Sequence, residues 1–179
     1  MLLVGGLNFF SYGYPLILIL RAQELGADAP TIGLLFASGG VGGILGALAA
    51  PRLQSRYGMG QLMLAVSWLW VLTWPAFALA PTVPWLAFTN AVGWIVVAIH
   101  GVTQLSYRLA VVPDSLQGRV TSVYRLLAFG GQPLALALAG LLLQVLGAVS
   151  TVWLITFPQA LLVLAITLSR SLRPHPPCT

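Results

Sequence analysis

The sequence predicts an all-α membrane protein with six transmembrane helices, and three observations support this. Apolar residues make up 59% of the 179 residues and charged residues only 6%, far below the ~25% charge of a typical soluble domain. Apolar runs of about 20 residues, the length that a helix needs to cross a bilayer, recur along the chain. The runs lack the short alternating pattern of a membrane barrel, so helices must satisfy their backbone hydrogen bonds.

Short connections separate the apolar runs and hold most of the charged side chains. The predicted spans cover residues 2–20, 31–50, 61–80, 84–106, 119–143 and 150–169. Residues 1–169 are therefore expected to form one transmembrane domain, followed by a polar, proline-rich cytoplasmic tail at 170–179. The first run begins at residue 2, which favours a fragment of a longer protein.

Charge is distributed in a way that predicts topology. All eight basic residues are arginines, and they lie singly or in pairs at the ends of apolar runs. This arrangement differs from a basic stripe, so no nucleic-acid partner is expected despite the net charge of +5. Alternate connections hold seven arginines against one. The positive-inside rule then places both termini in the cytoplasm, with the bilayer of the inner (plasma) membrane as the surrounding partner.

The second span is rich in small residues at a spacing of four. Such spacing gives a helix faces on which another backbone can approach closely. We therefore expect this span to pack between neighbours, with a hinge or gating role as the alternative. The two sets of residues are Gly39, Gly43 and Ala47, and Gly42, Gly46 and Ala50.

Polar residues on the first and fourth spans form the candidate substrate site. Polar side chains within spans usually face the bundle interior or a water-filled cavity. The alternative for each of them is a hydrogen bond between helices, worth ~0.6 to 2 kcal/mol. The six tryptophans, in contrast, are interpreted as interfacial anchors and packing. The candidate substrate-binding residues are Asn8, Tyr12, Asn90, His100 and Gln104.

Residue types argue against an enzyme and against a metal or other cofactor. His100 is the one histidine within the apolar region, and the single cysteine, Cys178, is in the tail. No Asp or Glu lies well inside a span. An intramembrane hydrolase or acyltransferase would need a nucleophile with a base, or paired acids. We therefore expect no catalytic residue, no metal site and no cofactor.

The junction before the fifth span combines charge with turn chemistry. Pro113 should end the fourth helix, and Asp114 should cap the next one, with Gln117 as the return arm of a capping box. Arg125 lies inside the span, so it should reach the headgroups or a backbone carbonyl. Glycines and a proline at 130–133 predict a bend.

Five residues in the arginine-bearing connections are predicted to anchor the loops. Asp114 is expected to form a salt bridge with one of three arginines, Arg119, Arg108 or Arg52. The anchors are Arg52, Arg56, Arg108, Asp114 and Arg119.

Six spans with cytoplasmic ends, the turn PRLQSRYG after the second span and the junction PDSLQGRVTSVYRLLAFGGQP together resemble the carboxy-terminal half of a major facilitator superfamily transporter. The resemblance is to the branch of the enterobactin exporter and its drug-exporting relatives. In the turn, Arg52, Arg56 and Gly58 fit the family pattern. Ser55 replaces the usual acid and Pro51 the usual leading glycine.

The resemblance implies two inverted three-helix repeats that face a second six-helix half across a central cavity. The first and fourth spans would line that cavity, and the second and fifth would contact the missing half. The implied function is a truncated secondary active transporter that exports a small amphipathic molecule by alternating access. The alternative is a genuine six-span protein that pairs with a second copy or serves as an assembly subunit. A membrane enzyme is the weakest reading.

Overall fold

A computed structural model describes residues 12–168, and this part of the chain is built from helices without strands. Asn8, most of the first predicted span and the tail lie outside the described residues. The helices are α1 (Tyr14–Glu24), α2 (Ala29–Arg56), α3 (Met59–Ala78), α4 (Val83–Val111), α5 (Asp114–Phe129) and α6 (Gln132–Leu168). The all-α prediction is confirmed over this range.

Within residues 12–168, four stretches of helix are long and apolar enough to cross a membrane. Three match the second, third and fourth predicted spans, although α2 and α4 extend beyond them at both ends. The fourth stretch is interrupted at Gly147, whose φ of 74° and ψ of 175° are not helical. The chain is therefore a multi-pass membrane protein, and the count of six spans stays a prediction. The stretches are Ala29–Arg56, Gly60–Ala78, Val83–Leu109 and Gln132–Ala165.

The fifth predicted span is not a continuous helix from 119 to 143. Helix α5 ends at Phe129 and α6 begins at Gln132, because two consecutive glycines and Pro133 interrupt the backbone ladder. The amide of Gly130 still bonds to the Leu126 carbonyl at 2.8 Å, and the ladder restarts with the amide of Ala135 on the Gly131 carbonyl at 3.0 Å. The bend predicted at 130–133 is thus a break between two helices.

The most extensive helix–helix interface joins α2 to α4. A Cβ atom added at Gly42 or Gly46 would collide with the carbonyl oxygens of Ala91 and Ile95, and one at Gly39 would meet the Trp94 ring. These glycines therefore allow backbone contact. At Gly43 an added Cβ would meet open space, so the packed face takes Gly39 from one predicted set and Gly42 and Gly46 from the other.

On the side of the bundle opposite the arginine-rich connections, side-chain hydrogen bonds hold the start of α2 and the α3–α4 connection. Asp28 accepts a hydrogen bond from the Thr31 amide at 3.1 Å and so caps α2. Hydrogen bonds from Thr31 also lower the pKa of the Asp28 carboxyl below its ordinary value. Arg21 pairs with Glu24 at 2.8 Å and donates to the Ala80 carbonyl at 3.1 Å. The one arginine on this side therefore ties α1 to the α3–α4 connection.

The main apolar core joins α1, α2, α3, α4 and α6. It contains aliphatic side chains from the ends of α1 and α2 and aromatic side chains from α3. Because α5 contributes none of its buried members, the core leaves α5 at the edge of the described bundle. Its larger members are Ile17, Leu18, Leu35, Trp74, Phe77, Leu86, Leu143, Val152 and Ile155.

The structure corrects the prediction for Asp114. Pro113, one residue earlier, is the N-cap of α5, and no side chain caps that helix. With Asp114 already inside the first turn, the capping box cannot close, and the Gln117 amide instead donates to the Asp114 carboxylate at 2.8 Å. Among the described residues the structure contains one salt bridge, Arg21–Glu24. The predicted pairing of Asp114 with an arginine is therefore wrong.

The arginine anchors lie at helix ends rather than in loops. Arg56 and Arg108 occupy the last turns of α2 and α4, where positive charge is favourable beside unpaired carbonyls. Arg52 lies one turn earlier and donates to the Leu48 carbonyl at 3.4 Å. Arg119 and Arg125 are both exposed on α5.

Candidate binding cavity

A cavity of about 660 Å³ lies between α1, α3 and α4. The break between α5 and α6 closes one part of it, because Phe129 and Gln132 from either side of the break are in its wall. Drug-sized ligands occupy pockets of ~300 to 1,000 Å³. The wall consists of Tyr12, Tyr14, Pro15, Leu16, Ser67, Trp70, Thr73, Trp74, Phe77, Thr89, Gly93, Trp94, Val96, Val97, His100, Phe129, Gln132 and Leu136.

Interlocked aromatic rings form much of the wall. The Tyr14 ring lies edge-on to Trp74 at 6.0 Å between centroids, and it also contacts Phe77 at 5.4 Å and Trp94 at 6.4 Å. Trp70 meets Trp74 edge-on at 5.8 Å. Tilted and edge-to-face pairs of this kind are worth ~0.5 to 1.5 kcal/mol beyond burial. They hold the three helices at a fixed spacing around the cavity.

Most hydroxyl groups in the wall already have a partner on their own helix. Ser67 donates to the Met63 carbonyl at 2.8 Å and Thr73 to the Trp70 carbonyl at 2.7 Å. Thr89 likewise bonds back to its own helix. These groups present little hydrogen-bonding capacity to a ligand.

Tyr14 Oη and Trp74 Nε1 are buried in the wall without a hydrogen-bond partner, and His100 and Gln132 have no hydrogen bond to another described residue. None of the described wall residues is Asp, Glu, Lys or Arg. The cavity is therefore largely apolar, carries no permanent charge on its wall, and offers a small number of polar contacts. That composition is typical of a small-molecule site.

The structure separates the predicted site residues. Tyr12 and His100 are in the cavity wall. Asn90 is 1% exposed and donates to the Leu35 carbonyl and to Ser38 Oγ, so it links α4 to α2.

Gln104 is 8% exposed and accepts the Tyr124 hydroxyl at 2.6 Å, which links α4 to α5. Asn8 lies outside the described residues. Substrate contact by any of these five residues stays a prediction.

Helix geometry explains why Asn90 and His100 separate. With 3.6 residues per turn, ten residues place two side chains about 80° apart around the axis. Asn90 therefore meets α2 while His100 meets the cavity. A set of residues at helical spacing does not show which of them face one neighbouring helix and which face another.

The sequence-based interpretation missed the aromatic wall. Trp70, Trp74 and Trp94, interpreted as anchors and packing, are in the cavity wall. The signal was present on α3, where Trp70, Trp74 and Phe77 recur at spacings of four and three and so share one helical face. The sequence did not show that a cavity lies in front of that face.

Comparison with known proteins identifies the family. The Major Facilitator Superfamily model matches residues 1–177, nearly the whole chain. The chain belongs to the Major Facilitator Superfamily. No curated protein and no solved structure matches it.

Members of this superfamily are transporters, so the chain has a transporter-type function and is not an enzyme. The resemblance implied that the first and fourth spans line a cavity. Helices α1 and α4 do contribute to the wall, and so does α3, which the resemblance did not imply. The described residues also contain no group of three His, Cys, Asp or Glu side chains that could hold a metal ion.

Proposed function

We propose that the chain is the carboxy-terminal half of a facilitator of the enterobactin-exporter and drug-efflux branch. It exports a small, uncharged amphipathic molecule by alternating access, together with an amino-terminal six-helix half. The cavity of about 660 Å³ carries this proposal. Both termini lie in the cytoplasm and the membrane is the inner (plasma) membrane, as the distribution of arginines indicates.

The chemistry of the wall favours an uncharged substrate. An ion moved from water into this cavity would lose its hydration without meeting an opposite charge on the wall, which is costly. Cation–π contact with the aromatic rings returns ~2 kcal/mol, less than that cost. A neutral molecule with an aromatic or aliphatic body gains apolar contact instead. His100 and Gln132 can then bond to its polar group.

The break between α5 and α6 supports a moving part at the cavity. Discontinuous helices in transporters commonly meet at the substrate site. Here Phe129 and Gln132 place the two ends of the break in the wall, and the glycine pair between them lets the backbone change direction at low cost. Movement of α5 relative to α6 would open or close one side of the cavity.

The unused surface of α2 supports a missing half. The face of α2 away from α4 exposes Leu34, Ile44 and Leu48, which are 71%, 64% and 62% exposed. Gly40 on the same helix has open space in front of it. A partner helix could pack closely there. A second copy of this chain is the alternative occupant.

Ligand binding can be tested on the purified chain in detergent. The probe is a neutral naphthylamine dye, whose binding is read by energy transfer from tryptophan. Trp70→Ala should weaken dye binding about tenfold, because the dye loses a ring of the wall. Trp153→Ala is the matched control, since Trp153 is 48% exposed and outside the wall. Equal affinity in the two variants would contradict the proposed site.

Direction of transport needs a separate measurement in everted membrane vesicles, in which an exporter accumulates its substrate. Vesicles should contain the chain together with the reading frame that precedes it in the genome. Energy-dependent uptake of the dye that is lost in His100→Ala supports export through this cavity. Accumulation in right-side-out vesicles instead would identify an importer.

A further inference from the structure

Three side chains form a cluster where α4 meets α5. The Arg108 guanidinium lies over the Tyr124 ring, 3.8 Å from its centroid. The Tyr124 hydroxyl donates to Gln104 Oε1 at 2.6 Å. Gln104 and Arg108 are one helical turn apart on α4, so Tyr124 contacts both. We refer to Gln104, Arg108 and Tyr124 as the Arg108 cluster.

The cluster holds more hydrogen-bond donors than the chain satisfies. Arg108 Nε, Arg108 Nη1 and Gln104 Nε2 are buried and have no acceptor. Leaving a buried donor unpaired is costly, and more so where the donor belongs to a charged group. The stacked ring stabilises the guanidinium charge but accepts none of these hydrogen bonds in the plane of the group. The arrangement therefore calls for an acceptor with negative charge.

None of the side-chain carboxylates of this chain lies within salt-bridge distance of Arg108. The whole sequence contains three acids. Glu24 pairs with Arg21, Asp28 caps α2, and Asp114 accepts from Gln117. An anion from outside the described residues can therefore occupy the site.

The surroundings of the cluster are those of the membrane interface. Arg108 lies at the last residues of the 83–109 stretch, where the apolar part of α4 ends. Tyr107 and Leu109 on either side are 50% and 52% exposed. Tyrosine and arginine at the end of a span typically meet lipid headgroups, and apolar neighbours meet the acyl chains.

A narrow cleft between α4 and α5 leads to Arg108. Its space is about 20 Å³, enough for one group of the size of a water molecule. A single phosphate oxygen fits such a space while the rest of a headgroup stays outside. Apart from Arg108, the cleft wall consists of Leu105, Leu109, Val112, Gln117, Val120 and Thr121.

We propose that the Arg108 cluster binds the phosphate of a membrane phospholipid, with one phosphate oxygen in the α4–α5 cleft and the acyl chains against the apolar side chains beside it. Basic sites between transmembrane helices bind anionic headgroups in this way. Guanidinium groups bind phosphate through short, charge-assisted hydrogen bonds. The bound lipid would hold α5 against α4, and this assignment does not depend on the proposed export function.

The test uses the full chain purified in a nonionic detergent. Phosphatidylglycerol is added, bound lipids are counted by native mass spectrometry, and the thermal unfolding midpoint is followed in parallel. Arg108→Gln should weaken lipid binding about tenfold, the effect of losing charge-assisted bonds worth ~1.5 kcal/mol. Arg119→Gln is the matched control, because it removes the same charge from an exposed site on α5. It should change binding less than about twofold.

A milder variant covers the case in which Arg108→Gln does not fold. Gln104→Leu removes one unpaired donor and the acceptor of the Tyr124 hydroxyl but keeps the guanidinium, and it should weaken lipid binding about threefold. Inorganic phosphate at the same concentration is the second arm of the test. A rise in the unfolding midpoint with lipid but not with inorganic phosphate supports the proposal.

Three results would overturn it. Equal lipid binding by Arg108→Gln and Arg119→Gln would show that binding follows net charge alone. An equal rise in midpoint with inorganic phosphate would assign the site to a soluble anion. Retention of another polypeptide by the unmodified chain, lost on Arg108→Gln, would show that an acid on a protein partner fills the site.

Discussion

The α2–α4 interface and helix α5 differ more than any other two parts of the described chain. Helix α2 touches α4 backbone to backbone over several turns, at glycines that leave no room for a side chain. Helix α5 has no extensive contact with any other described helix, and its hydrogen bond and its cation–π contact with α4 both involve Tyr124. Packing of this kind makes α2 and α4 a fixed unit. Helix α5 is held by fewer contacts and ends at a glycine break.

The difference matters because the cavity touches both regions. Trp94 and His100 on α4 belong to the closely packed side of the wall, and Phe129 at the end of α5 belongs to the sparsely packed side. A transporter needs one wall that keeps the geometry of its site and another that gives access to it. The variants below change one region at a time, in order of decreasing expected effect.

Gly42→Ala should be the most damaging small substitution on α2. Its Cβ would collide with the Ala91 carbonyl, so α2 and α4 must move apart and lose contact along their length. We expect a loss of about 2 to 3 kcal/mol in the free energy of unfolding. The measurement is unfolding in mixed detergent micelles, followed by circular dichroism.

Gly40→Ala is the control for that experiment, because Gly40 faces open space on the same helix. It should be neutral, or stabilise the helix by up to about 1 kcal/mol through better helix propensity. Equal losses for the two variants would mean that α2 and α4 do not pack through this face.

Asn90→Leu and His100→Leu should separate stability from binding. Asn90 bonds to two groups on α2, so its loss should cost about 1 to 2 kcal/mol of unfolding free energy. His100→Leu breaks no hydrogen bond among the described residues. It should leave stability nearly unchanged and alter dye binding. The opposite pattern would move the candidate site from the cavity to the α2–α4 interface.

Tyr124→Phe should loosen α5 while leaving α2 and α4 unaffected. The substitution keeps the ring beneath Arg108 and removes the hydroxyl that bonds to Gln104. A hydrogen bond worth ~1 kcal/mol corresponds to about fivefold faster opening. Hydrogen exchange should therefore speed up by about that factor in α5 amides only. Faster exchange throughout α4 as well would show that the two helices move as one.

Substitution of Asp28, at the start of α2, should give the smallest effect. Its pKa is lowered in the folded chain by hydrogen bonds from Thr31. The stabilisation is therefore present above the ordinary value of 3.8 and is lost as the pH falls through the lower, folded value. The acid side of the unfolding curve should be shallower in Asp28→Asn than in the unmodified chain. Identical pH profiles would show that the cap contributes nothing.

Sequence patterns predicted the helices well, but they predicted poorly which helices pack against one another. Length and hydropathy were enough for the spans of α2, α3 and α4, because burial in lipid demands long apolar helices whatever they pack against. The predicted capping box at Asp114 was wrong by one residue. A proline can occupy the N-cap position with the acid in the first turn, so the sequence is compatible with either arrangement. The break in the fifth span could be seen only in the backbone, because a proline after two glycines is compatible with both a kink and a full break.

The candidate site shows the same limit. Polar residues were the visible signal, and Tyr12 and His100 do reach the cavity. Asn90 and Gln104 have equally polar side chains, but their hydrogen bonds go to neighbouring helices. The tryptophans in the wall had been interpreted as anchors and packing, which in isolation is the more frequent use of such residues.

The sequence by itself determined that this chain is a helical membrane protein, and its family pattern pointed to a facilitator. These conclusions depend on composition, spacing and local motifs, which the chain carries without reference to its fold. Only the tertiary structure decided which face of α2 meets α4, where the cavity lies and which partly buried arginine has no acid beside it. Those outcomes depend on distances between helices far apart in sequence, and no pattern within a single span encodes them.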